Sequence, residues 1–124
     1  MSEPVQIGEP VAGTYKTRLV NSGMWVAVKF WYGRPIIDDE EQDRSPRWCV
    51  VVNGRTDRFD KEAQHRVPLE ALDVWPWAAG NPISEREYQF LLRRKTWAVE
   101  YAPEHPAARP HEPINLRKLK PVGP

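Results

Sequence analysis

The most apolar extended stretch of the chain runs from Met24 to Tyr32 (MWVAVKFWY), with every even position apolar. Met24, Val26, Val28, Phe30 and Tyr32 share one face of an extended chain there, and Trp25, Ala27, Lys29 and Trp31 share the other. A strand this apolar belongs near the centre of a sheet. Upstream, Tyr15, Thr17 and Leu19 alternate with Lys16 and Arg18, which predicts a strand over residues 14–20, opened by Gly13, with one buried and one wet face. Asn21-Ser22-Gly23 between the two predicts a three-residue hairpin loop with Gly at a left-handed position. Downstream, Gly33 and Pro35 end the central strand, and Arg47 to Val52 (RWCVVV) reads as a further β-branched strand. Asn53-Gly54 then predicts a two-residue turn that pairs Val52 with Arg55 and sets Val50 opposite Asp57. Together these segments predict a four-strand antiparallel meander, either an open twisted sheet or a small barrel of the SH3 or OB kind.

Helical signals follow the strands. Val67, Leu69 and Leu72 are spaced for one short helical turn after Pro68. In Val74-Trp75-Pro76-Trp77 the proline interrupts any long regular element, so the two tryptophans read as a plug for the open end of a core. After the Gly80-Asn81-Pro82 turn, Ser84 is placed as an N-cap with Glu87 completing a capping box, and Ile83 and Tyr88 form a hydrophobic staple around it. Tyr88, Leu91, Leu92, Lys95, Ala98 and Val99 recur at helical spacing, Phe90, Trp97 and Tyr101 widen the apolar arc, and Pro103 forces an end near Tyr101. The fold class is therefore α+β: an antiparallel sheet or small barrel over residues 13–102, covered by one C-terminal helix. A flexible arm (1–12) precedes it and an extended, proline-rich basic tail (103–124) follows. Ile114, Leu116, Leu119 and Val122 are the aliphatic anchors by which that tail docks on the domain or on a partner.

Composition changes this picture in a few places. The 124 residues suit one domain, and 13 Pro with 6 Trp call for extended loops and an aromatic core. Eighteen Lys and Arg against 17 Asp and Glu leave a net charge of +1, so a nucleic-acid site requires charge segregated onto one face. With Cys49 as the only cysteine no intrachain disulfide can form, which points to a reducing compartment. The N-terminal stretch has neither the basic start nor the apolar run of a signal peptide, and no segment approaches the ~20 apolar residues of a membrane span. The expectation is a soluble cytoplasmic protein.

Catalytic chemistry finds little footing. Cys49 alternates inside an apolar strand, and His65, His105 and His111 fall in a loop and the proline-rich tail, so no base is placed beside the thiol. There is no metal-ligand spacing and no glycine-rich phosphate loop, so the chain reads as a non-enzymatic protein without cofactor or metal. Two binding surfaces remain. Lys16, Arg18 and Lys29 lie on strands beside Trp31, the mixture that single-strand stacking platforms use, although an ordinary amphipathic sheet gives the same pattern. Asp38, Asp39, Glu40, Glu41 and Asp43 form an acidic run suited to a basic surface that normally holds nucleic acid, while their simplest reading is a solvated loop.

Gly13-Thr14-Tyr15-Lys16-Thr17-Arg18-Leu19-Val20 with Gly23, Val74-Trp75-Pro76, Gly80-Asn81-Pro82-Ile83-Ser84 with Glu87-Tyr88, Trp97-Ala98, and Pro113-Ile114-Asn115-Leu116 together resemble small accessory proteins carried by bacteriophages and prophages. The resemblance spans most of the chain and consists of turns, caps and core positions. It implies a phage accessory protein inside a bacterial host, and brings no activity or site residue with it. The expected function is binding that acts on nucleic-acid-handling machinery. Inhibitory contact with a host protein or nucleoprotein complex and direct nucleic-acid binding are its two forms, and a self-associating virion or assembly component is the alternative.

Overall fold

The computed structural model describes residues 9–34 and 45–114. Three strands, β1 (Gly13–Arg18), β2 (Trp25–Gly33) and β3 (Arg47–Val52), form an antiparallel sheet in the order β1-β2-β3, with the apolar β2 at its centre as its alternation predicts. Register sets Tyr15 beside Val28 and Phe30 beside Val50, so one face gathers aromatic and β-branched side chains from all three strands. The opposite face carries Lys16, Trp25, Ala27 and Lys29.

Each face is covered by its own helix. The first face packs against α1 (Ala71–Ala78) through Ala71, Trp75 and Ala78. Tyr15, Phe30 and Trp75 meet edge to face, with ring centroids 5.2 to 5.6 Å apart. The Tyr15 hydroxyl, whose pKa burial raises, donates to the Val11 carbonyl at 2.9 Å. On the second face, the small side chain of Ala27 lets α2 (Glu85–Tyr101) approach closely, and Tyr88 and Leu91 bury against it with Ile83 and Leu92 alongside. The staple expected at Ile83 and Tyr88 is thus part of the packing. Between the helices, residues 79–84 pass around the outer edge of β1. Lys16 N–H donates to the Asn81 carbonyl and Ile83 N–H to the Thr14 carbonyl, both at 3.0 Å, while the Thr14 hydroxyl donates to the Ile83 carbonyl at 2.7 Å.

Four details differ from the sequence expectation. The Asn53-Gly54 turn forms with both residues at positive φ (53° and 81°) and Val52 bridges Arg55 as expected, but the chain then leaves β3. In place of a fourth meander strand, β4 (Asp57–Asp60) pairs with β5 (His65–Pro68) in a separate hairpin, and among the described residues no barrel closes. Continuing the meander would set Asp57 opposite Val50, which is only 3% exposed, and carry a carboxylate into the aromatic core. Second, the short helical turn expected from Val67, Leu69 and Leu72 is instead α1, which begins at Ala71 and runs through Pro76, while Val67 belongs to β5; the described residues thus hold two α-helices. A proline inside a helix costs about 3 kcal/mol. Burying a tryptophan removes on the order of 200 Å² from water, worth about 5 kcal/mol, and Trp75 is 3% exposed. Only Trp75 plugs the core, since Trp77 is 55% exposed.

Third, the β1–β2 loop spans residues 19–24 rather than Asn21-Ser22-Gly23 alone, because pairing stops at Arg18 and Trp25 and leaves Leu19 exposed. Ser22 holds the left-handed conformation (φ 62°), while Gly23 is required by space: a Cβ there would lie 2.8 Å from Val20 Cγ2 and 3.2 Å from the Pro110 carbonyl oxygen. Fourth, the chain beyond α2 folds back. A 3₁₀ turn, Pro106–Ala108, packs on α2, Trp97 meets His105 edge to face at 5.6 Å, and Ile114 N–H donates to the Ser22 carbonyl at 3.0 Å. The packed body therefore continues past residue 102 to Ile114. Leu116, Leu119 and Val122 lie outside the described residues.

Candidate nucleic-acid interface

The side chains of Lys16 and Arg18 leave β1 on the face that α2 covers, directly across from Ala27 and Trp25 of β2. The Arg18 guanidinium carbon sits 4.3 Å from the centre of the Trp25 ring, and Lys16 Nζ lies 5.1 Å from the same ring. Lys16 also pairs with Glu87 of α2 at 3.2 Å. Both partners are partly exposed, so the bridge contributes on the order of 0.5 kcal/mol and mainly fixes where the ammonium points.

Arg94 joins the helix to this cluster. Its guanidinium carbon lies 5.5 Å from the Phe90 ring centre, and its Nη2 donates to the Trp25 carbonyl at 3.3 Å. Burial lowers the Arg94 pKa from the ordinary arginine value, and its Nε makes no hydrogen bond among the described residues. The chain of contacts Arg18, Trp25, Arg94, Phe90 thus runs unbroken from strand to helix.

The other sequence-derived candidates fall elsewhere. Lys29 lies over Tyr88 of α2 instead of Trp25, with Nζ 5.8 Å from the Tyr88 ring centre, where burial and then Glu85 raise the Tyr88 hydroxyl pKa. Trp31 shares the face but is half-buried opposite Cys49, about 20 Å along β2 from Trp25 at 3.3 Å per residue. The aromatic partner of the cations is therefore Trp25. Asp38, Asp39, Glu40, Glu41 and Asp43 lie outside the described residues.

Two signals in the sequence lead to the residues it did not single out. Arg94 belongs to the Arg93-Arg94-Lys95 cluster, and Trp25 stands directly across from Arg18 once the hairpin register is drawn. Phe90, Trp97 and Tyr101, expected to widen the packed arc, are instead 54%, 49% and 71% exposed.

Cys49 is buried as its strand position predicts. Burial raises its thiol pKa, a nearby Arg47 works against that, and Sγ lies 3.5 Å from the Gly33 and Arg47 carbonyls. Among the described residues no group of three or more His, Cys, Asp or Glu is placed to hold a metal, and no helix is long and apolar enough to cross a membrane. Compared with known proteins, the chain matches no family model, no curated protein and no solved structure.

Proposed function

We propose that the protein is a non-enzymatic, phage-type accessory binding protein that acts on nucleic-acid-handling machinery inside a bacterial host, through direct contact with nucleic acid. The observation that carries this reading is the cation and ring cluster on one face: Arg18 and Lys16 over Trp25, with Arg94 tied to the Trp25 carbonyl and lying over Phe90. On a chain with a net charge of only +1, Lys16, Arg18 and Arg94 here gather beside rings, with Lys16 also paired to Glu87. Phosphate contacts by such side chains supply affinity that falls with salt, and the rings supply stacking surface.

Tryptophan fluorescence of the purified chain, titrated with short oligonucleotides across a salt series, tests the reading. Binding is expected to weaken steeply with salt, and Arg18→Glu is expected to weaken it on the order of tenfold at low salt. Absence of any response at low salt would reject direct binding. The function would then return to inhibitory protein contact through Asp38, Asp39, Glu40, Glu41 and Asp43.

A further inference from the structure

The flank of α2 turned away from the sheet carries a second pattern. Positions 86, 90, 93, 97 and 101 recur at steps of four and three, so Arg86, Phe90, Arg93, Trp97 and Tyr101 line one stripe of the helix. All five residues are exposed. Neither Arg86 nor Arg93 forms an ion pair among the described residues. The stripe is about 22 Å long at 1.5 Å per residue, and it is continuous with the strand cluster because Arg94 touches both Phe90 and the Trp25 carbonyl.

Charge and ring together select the partner. Duplex nucleic acid presents phosphates to the arginines but keeps its base faces stacked on each other, which leaves the exposed rings unused. An unpaired strand offers both groups at once: phosphates for Arg86 and Arg93, and base faces for Phe90 and Trp97. We propose that this stripe is a stacking platform for single-stranded nucleic acid, extending the strand cluster into one track across β1 and α2. The inference rests on the nucleic-acid reading above and adds to it the form of the ligand and the path it takes.

The probe is a labelled oligothymidine of about 16 nucleotides, the upper end of single-module site sizes, alongside a duplex of equal length. Phe90→Ala combined with Trp97→Ala is expected to weaken single-strand binding roughly tenfold or more and to leave duplex binding within about twofold. Arg86→Gln with Arg93→Gln is expected to reduce the slope of log affinity against log salt by about 1.4, at about 0.7 per phosphate contact. Because Trp97 also touches His105, Phe90→Tyr with Trp97→Phe serves as the control for folding and is expected to retain binding. If the wild-type chain binds the single strand and the alanine pair binds it equally well, the platform is overturned while the nucleic-acid function stands. Equal weakening toward duplex and single strand would likewise remove the stacking role. A wild-type chain that binds neither probe at low salt would overturn both readings and leave the stripe to an acidic protein surface.

Discussion

Asp60 closes the turn of the β4–β5 hairpin with its side chain. Its Oδ1 accepts from the Glu62 N–H at 2.9 Å and from the Ala63 N–H at 3.4 Å, and these two bonds, the Glu62 one first, hold its pKa below the ordinary carboxylate value. A carboxylate depressed by folding contributes stability that is present above its unfolded pKa and is lost as pH falls through its folded one. Amide exchange at Glu62 and Ala63 is therefore expected to accelerate, relative to its intrinsic rate, as pH falls below the ordinary aspartate range of about 4, and Asp60→Asn is expected to abolish that acid dependence. Such a turn is local, yet the mixed pattern of residues 60–73 gave no reading of it in the sequence. Gly23 is the opposite case. The sequence marks it as a turn glycine, yet the left-handed residue is Ser22, and what excludes a side chain at Gly23 includes a carbonyl of Pro110, far along the chain. Similarly, Trp25 and Trp31 look equivalent in a period-two pattern, and only the hairpin register and the placement of α2 bring the cations to Trp25.

Among the elements, α2 was legible because its signals are its own. Ser84 accepts from the Glu87 N–H at 3.0 Å, as the capping pattern requires, whereas the Glu87 carboxylate binds Lys16. The cap and the cross-element pair should differ in worth. Ser84→Ala is expected to cost about 1 kcal/mol in a denaturant titration, and Glu87→Gln less than about half of that, since a partly exposed ion pair contributes little. Of the helix α1 only a short turn reaching Leu72 was legible: a proline sits inside it, its length is eight residues, and its place depends on Trp75 filling the space between Tyr15 and Phe30. The exposed flank of α2 was misread for a related reason. Aromatic residues at helical spacing look alike whether they face a core or a ligand, and only the position of the sheet separates Tyr88 from Phe90.

At the scale of the molecule, the α+β class and the central place of β2 follow from the alternation pattern, while the two-sided covering of the sheet does not. A continuous apolar strand with Ala27, Val28 and Phe30 all buried is the trace that a two-sided core leaves in sequence. Residues 79–84 work as a belt around the edge of β1, and the belt sets more than the path of the chain. The cation cluster is shared between a strand and a helix, so its spacing is held by the belt's bonds to β1 at Asn81 and Ile83 and by the packing of Tyr88 and Leu91 on Ala27. Two glycines inserted between Ala79 and Gly80 would add little loop entropy, and the denaturation midpoint is expected to move only slightly. Oligonucleotide affinity is likewise expected to hold, because the bonds from β1 to Asn81 and Ile83 and the packing of Tyr88 and Leu91 on Ala27 all lie beyond the insertion and keep Arg18 and Arg94 aligned. The stretch just ahead of the belt's bonds is in this sense a silent joint, where a lineage can gain or lose residues while both the grip and the fold persist.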